Sequence, residues 1–160
     1  MKPLHLLFAV LVAFSAGITY AIVKIGVAHF PPIFFGVLRY CVVLVFLAAW
    51  WRVPAGRHRS VLAIAVSMTA QYIFMFMALS KSGGASSIAL VHQLYVPFAT
   101  IIAAVLYHEA VGARRWTGMA ISFVGVIVIG FEPNVLQHLD AFFLAVAAAF
   151  AGGLAIVQGR

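Results

Sequence analysis

The sequence predicts an all-α protein: a polytopic transmembrane helix bundle of about six spans, with its N-terminus in the cytoplasm. Three observations carry this. The chain is 66% hydrophobic and 8% charged, with a mean hydropathy of +1.15. A soluble domain is about a quarter charged, so this chain lacks the polar side chains to cover a surface facing water. Its apolar residues come in continuous runs rather than in polar/apolar alternation, which favours helices over a barrel. Finally, its cations gather at every second break between runs.

Six runs are each about long enough to cross roughly 30 Å of hydrocarbon as a helix. They lie near residues 4–24, 33–51, 60–80, 86–107, 115–131 and 140–158. The breaks read "HFPP", "VPAGRHR", "KSGGASS", "GARR" and "EPNVLQHLD", and each contains Gly, Pro or charge. Lys2 precedes the first run. Arg52, Arg57 and Arg59 follow the second, Arg114 and Arg115 the fourth, and Arg160 the sixth. If the runs alternate across the membrane, all of these fall on one side, and the other side receives only Lys24 and Lys81. The imbalance sets the first side in the cytoplasm and predicts a multi-pass protein of the cytoplasmic membrane. The net charge of +7 is therefore a topology signal, and no nucleic-acid partner is expected. The lone Cys41 lies within an apolar run, so it forms no intrachain disulfide.

An internal echo bears on organisation. Residues 8–24 read "FAVLVAFSAGITYAIVK" and residues 144–160 read "LAVAAAFAGGLAIVQGR". Without gaps, Ala9, Val10, Ala13, Phe14 and Gly17 match Ala145, Val146, Ala149, Phe150 and Gly153, and Lys24 meets Arg160. An odd number of spans separates the copies, so they enter the membrane from opposite sides. That is the pattern of an inverted-topology repeat.

Before "LYHEAVGARRWTGM" the chain has no acidic residue. Glu109 ends the fourth run, and Arg114 and Arg115 open the fifth. A carboxylate beside two guanidiniums in a short connector can form charge-assisted bonds that fix the angle between two helices. A role for Glu109 in proton or cation coupling is the other reading, although a coupling carboxylate belongs nearer mid-membrane depth.

These residues bring a family into view. "VPFATIIAAVLYHEAVGARRWTGMAISFVGVIVIG" resembles the end of an EamA domain of the drug/metabolite transporter superfamily. Pro97, Glu109, Gly118, Gly125 and Gly130 fit a proline in helix four, a Glu at its end, a short connector and a Gly-rich fifth helix. "AGITYAIVKIGVAHFPPIFFGVLRY" looks like the family's opening, with Tyr20, Lys24, Pro31, Pro32 and Arg39 in place. The resemblance covers residues 4–131 as one five-helix repeat and 140–160 as the first helix of a second. It implies ten helices in two inverted halves around a cavity for small metabolites or drugs. On that reading this chain is the first half of an inverted-repeat transporter. Either it is a fragment, which is the expectation here, or it assembles with a partner chain that supplies the missing half.

Polar residues within spans are costly in lipid and usually face a cavity or another helix. Arg39 sits about two turns into the second span. It either snorkels to the outer interface or anchors an anionic or zwitterionic substrate. Lys24, nearer a boundary, reads as an interface anchor. On the third span Ser67, Gln71 and Met75 recur at i, i+4 and i+8 and so share a face, with Tyr72 beside them. On the fourth, His92, Gln93 and Tyr95 cluster just before Pro97, which removes a helical hydrogen bond and can kink the helix. The candidate cavity residues are therefore Tyr20, Arg39, Gln71, Tyr72, His92, Gln93 and Tyr95; interhelical hydrogen bonding is the alternative reading for the last five. Gly118 with Ser122, and Ala147 with Ala151 and Ala155, form small-residue pairs suited to close helix packing.

No His/Cys cluster has metal spacing, and no HExxH, nucleophile elbow or phosphate-binding Gly loop occurs. Neither an enzyme nor a cofactor is expected. The absence of acids from residues 4–23 also argues against the four-helix multidrug antiporters, which rely on a Glu in helix one. The partners expected are the lipid bilayer and an unidentified small molecule. The alternative function is a non-transporting membrane assembly subunit.

Overall fold

A computed structural model describes residues 3–47 and 58–159 of the chain. Lys2, Arg52, Arg57, Arg160, the "VPAGR" break and the predicted end of the second span lie outside the described residues. The described chain is helical with short connectors: α1 Pro3–His29, α2 Pro32–Leu47, α3 His58–Lys81, α4 Ala85–His92, α5 Tyr95–Tyr107, α6 Ala113–Gly130, α7 Pro133–Leu136 and α8 Leu139–Gln158. Five stretches among the described residues are long and apolar enough to cross a membrane: His5–His29, Arg59–Lys81, Ala85–Tyr107, Ala113–Gly130 and Leu139–Gln158. The second expected span is the shorter apolar helix Pro32–Leu47. The molecule is a polytopic helical bundle.

Its outside is oily. Phe46 is 76% exposed and Ile121 73% exposed, and along α1, α2 and α6 most large apolar side chains point outward. Water would make such a surface aggregate, and lipid tails solvate it.

The inside is made of small residues. α8 is the most enclosed helix and packs most extensively on α3, then on α5 and α4. Its inward face carries Ala141, Ala145, Ala148, Ala149, Gly152, Gly153 and Ala155, all buried. Such residues let backbones come close, and dispersion between closely packed helices replaces a hydrophobic drive that lipid does not supply. Gly153 shows how close: a Cβ there would lie 2.9 Å from the backbone nitrogen of Ala99 on α5. Phe98 of α5 then packs edge-on against Phe123 of α6 and Phe150 of α8, with ring centroids 5.6 Å apart in both cases. Ala151 and Ala155 are buried as their spacing suggested. Gly118 and Ser122 instead point away from the bundle, and the Ser122 hydroxyl donates to the Gly118 carbonyl within α6. Spacing alone cannot say which face of a helix meets a neighbour.

The fourth expected span is divided. Pro97 has no N–H to give the carbonyl of Gln93, and its ring crowds that carbonyl. The Gln93 oxygen accepts from Val96 N at 3.2 Å instead, and Leu94 N closes a tight turn on the Val91 carbonyl at 3.1 Å. The helix therefore breaks at Gln93–Leu94, one turn before the proline.

Polar ties hold the two ends of the bundle. At one end the Lys24 ammonium of α1 donates to the carbonyls of Leu79, in the last turn of α3, and of Ser82 just beyond it. A cation there satisfies orphan carbonyls and meets the negative end of the helix dipole. Lys81 pairs with Asp140 at 2.7 Å, joining α3 to the start of α8. At the other end Ser67 donates to Gln158 Oε1 at 2.9 Å, and the Tyr107 hydroxyl donates to the Val157 carbonyl at 3.3 Å. His108 stops α5 in the left-handed conformation, with φ at 51°.

Candidate functional site: a cavity between α1, α2, α3 and α4

Among the described residues the helices surround a half-open concavity of about 270 Å³. α1 lines it with Thr19, Tyr20 and Val23, α2 with Arg39, and α4 with His92. α3 gives Gln71, Tyr72, Met75, Phe76 and Leu79. A second hollow near Ser87 and His138 holds about 20 Å³, room for roughly one water.

Each polar group arrives for a local reason. The Gln71–Met75 spacing puts both on the α3 face that meets α1 and α4. His92 is the last residue of α4, and the proline-driven break fixes where that turn ends. Gly36 of α2 sits against the ring of Phe76, where a Cβ would be 2.8 Å from ring carbon. That contact brings α2 close enough for Arg39, one turn further on, to reach the cavity.

His92 is the hub. It is 8% exposed. The Tyr20 hydroxyl lies 2.8 Å from its Nδ1, and the Gln71 amide nitrogen lies 3.0 Å from its Nε2. Three helices thus meet at one imidazole, which is fully satisfied. Tyr95 packs behind it with ring centroids 5.4 Å apart.

Arg39 is half-buried at the cavity wall. The chain has three acidic residues, and none is beside it. Asp140 pairs with Lys81, Glu132 accepts from Ser87 at 3.4 Å, and Glu109 lies in the connector after α5. Among the described residues no carboxylate pairs with Arg39. A guanidinium at a low-dielectric wall with no internal counter-ion is suited to hold a ligand carboxylate by two parallel bonds.

Of the seven candidate cavity residues, the fold brings Tyr20, Arg39, Gln71, Tyr72 and His92 to one cavity. Gln93 is exposed and points elsewhere, because the break at Gln93–Leu94 turns it away from His92. Tyr95 supports His92 from behind. Glu109, Arg114 and Arg115 are exposed together at the far end of the bundle, around the α5–α6 connector. Ser67 shares the Gln71 face but meets α8 instead. Sequence reasoning missed Phe76 and Leu79, although both continue the Tyr72 stripe. It also missed Gly152 of α8, where a Cβ would lie 2.9 Å from the Gln71 amide carbon. The hydrogen-bonding tie of Lys24 to α3 was not legible either, since its acceptors are backbone carbonyls.

Comparison with known proteins agrees with this architecture. Two curated proteins, from Salmonella typhimurium and Escherichia coli, are each named "Probable amino-acid metabolite efflux pump". Each is 28% identical over 150 residues, covering 89% of this chain and 48% of the relative. The chain thus spans about half the length of the curated relatives it matches. No solved structure matches it significantly. The sequence profile of the EamA-like transporter family matches residues 3–131, and this multi-pass membrane chain, with its apolar exterior and a cavity that holds Arg39, Gln71 and His92, belongs to that family.

Proposed function

We propose that the chain forms the first half of a transporter that moves small amphipathic metabolites bearing a carboxylate, of the amino-acid-derived kind that the relatives' names suggest. It does so across the cytoplasmic membrane, with the N-terminus inside. Residues 4–131 form the first repeat and 140–160 begin the second, which a longer chain or a partner completes. The single observation that carries the reading is Arg39, a cation with no carboxylate beside it among the described residues, at the wall of a cavity otherwise lined by aromatic and aliphatic side chains and neutral hydrogen-bonding groups. A cavity of about 270 Å³ is close to the lower end of ligand pockets, which run from about 300 Å³ upward, and so suits a small metabolite.

On this reading Arg39 holds the carboxylate, Tyr20 and Tyr72 hold the apolar body between their rings, and His92 and Gln71 form a polar floor. Alternating access then moves one repeat against the other about this fixed site. Lys81–Asp140 at one end and Ser67–Gln158 at the other are the ties between α3 and α8 that such rocking must remake. Drug-like cations are the poorer fit, because Arg39 repels them.

Export from proteoliposomes, measured with the chain in its full-length context against a panel of acylated amino acids and their neutral amides, tests the reading. Carboxylates should move and amides should not. Equal movement of both rejects Arg39 as the anchor. No movement of any compound by correctly inserted protein favours a non-transporting membrane assembly subunit.

A further inference from the structure

We infer that His92 is a proton-binding site of the cavity, and that the Gln71 amide, resting on the bare backbone of Gly152, turns over to admit the proton. The inference rests on the cavity described above but needs no transport substrate.

The argument begins with hydrogens. As placed, the Gln71 amide nitrogen faces His92 Nε2 at 3.0 Å. An amide nitrogen only donates, so Nε2 accepts and carries no hydrogen. The imidazole hydrogen is then on Nδ1 and is donated to the Tyr20 oxygen 2.8 Å away. In this state the Tyr20 hydroxyl hydrogen is directed into the cavity, free for a ligand or water. A second state needs only a half-turn of the amide. With Oε1 toward His92, Nε2–H donates to it. Nδ1 then either accepts from Tyr20 or keeps its hydrogen and donates to it. The last arrangement is the imidazolium, with both N–H groups bonded to neutral oxygens. Tyr20, being both donor and acceptor, suits every state.

The half-turn requires space for oxygen and nitrogen to exchange places. Gly152 supplies it. A Cβ at this position would lie 2.9 Å from the Gln71 oxygen and 3.1 Å from its nitrogen. The two ends of the amide thus lie nearly equidistant from the position a side chain on α8 would take, and the half-turn exchanges them across the space that the bare glycine leaves. A methyl group would press on both.

The groups that face His92 decide how a charge there fares. α1 brings Tyr20, α3 brings Gln71 and Tyr72, and α5 brings Tyr95. α2 brings Arg39 across the cavity. α8 brings Gly152, with no ionisable group at this level. The charged residues of α6, Arg114 and Arg115, sit at its far end. Arg39 alone is charged and opposes the proton, so a carboxylate bound at Arg39 favours proton uptake. By linkage the proton then tightens carboxylate binding by the same factor. The step itself is a plain transfer: a hydronium ion in the cavity gives its proton to the imidazole and leaves as water.

The experiment is a titration of the whole chain, labelled with ¹⁵N-histidine, in lipid nanodiscs. His92→Gln identifies the His92 resonances among those of the chain's six histidines. Between about pH 8 and about pH 5 the imidazole should pass from one protonated nitrogen to two. Gln71→Leu, which offers no oxygen, should keep it neutral to about pH 5. Gly152→Ala should weaken proton binding by about tenfold, one pH unit. The remaining histidine signals report that each variant is folded. A wild-type His92 still neutral at about pH 5 overturns the inference, and so does a Gln71→Leu titration indistinguishable from wild type. A titrating His92 alongside unaltered export by Arg39→Gln upholds the proton site while rejecting the carboxylate anchor.

Discussion

Arg39 and the glycines of α8 carry the sharpest residue-level tests. Arg39→Gln keeps length and hydrogen bonding but removes the charge. A charge-assisted bond to a ligand is worth about 1.5–3 kcal/mol, so affinity for carboxylates should fall about 10- to 100-fold. Affinity for the matching amides should hardly change, and ligand binding to nanodisc-embedded protein reads both. Gly152 and Gly153 are neighbours with different prospects. At Gly153 a methyl meets the Ala99 nitrogen and the Tyr95 carbonyl, which are backbone and cannot yield without moving α8 from α5. Gly153→Ala should lower stability by about 1–3 kcal/mol in thermal unfolding in detergent. Gly152→Ala meets only the movable end of Gln71 and should unfold near the wild-type temperature. The sequence displayed two adjacent glycines; which of them touches backbone and which a side chain depends on the rotation of α8.

At the scale of elements, the α4–α5 break and the Lys24 tie are the parts to disturb. Pro97→Ala restores an N–H for the Gln93 carbonyl and removes the ring that crowds it. A continuous helix should form, the backbone bond it gains being offset by the hydrogen bonds that His92 gives up. His92 should then leave Tyr20 and Gln71, and spin-label distances between α4 and α1 should change while helical content by circular dichroism stays constant. An unchanged distance would mean that packing on α8, not the proline, sets the break. Lys24→Met preserves the apolar stem but takes the ammonium donor from the Leu79 and Ser82 carbonyls, and Leu79 keeps only the Ser82 hydroxyl at 3.1 Å. A loss of about 1–2 kcal/mol is expected, seen as a lower unfolding temperature with the cavity otherwise intact. The elements themselves were largely legible. Run length and Gly/Pro breaks located α1, α3, α6 and α8 to within a few residues, because lipid obliges each span to bond its own backbone. The exit of Gln93 from the site was not legible, because a kink acts one turn before the proline that causes it.

For the whole molecule the prediction concerns sidedness. With Cys41→Ser as background, a cysteine at Gly112 and one at Gly83 should react with a membrane-impermeant maleimide from opposite faces. Gly112 should react from the cytoplasmic side, where Arg59, Arg114 and Arg115 gather. Labelling of both from one face would reject alternating spans and the inverted repeat together. At this scale α8 changes the picture most. It echoes α1 in sequence, yet α8 is enclosed by α3, α4 and α5, whereas α1 leaves Ala13, Ala16 and Gly17 exposed. A Cβ at Gly17 meets nothing within 4 Å. Two helices with similar sequences thus have different surroundings.

Composition and run length alone determined that the solvent is lipid, that the elements are helices, and roughly where each begins and ends. These follow from the backbone's need for hydrogen bonds and the thickness of hydrocarbon, which act on every span separately. Tertiary structure alone decided that Tyr20, Gln71 and His92 share one network while Gln93 does not, and that Arg39 lines the same cavity with no carboxylate beside it among the described residues. Those outcomes depend on how each helix is rotated and how closely it approaches its neighbours. In a chain so uniformly apolar, hydropathy scarcely distinguishes one face from another, and small-residue contacts such as Gly153 on α5 and Gly36 on Phe76 make the choice.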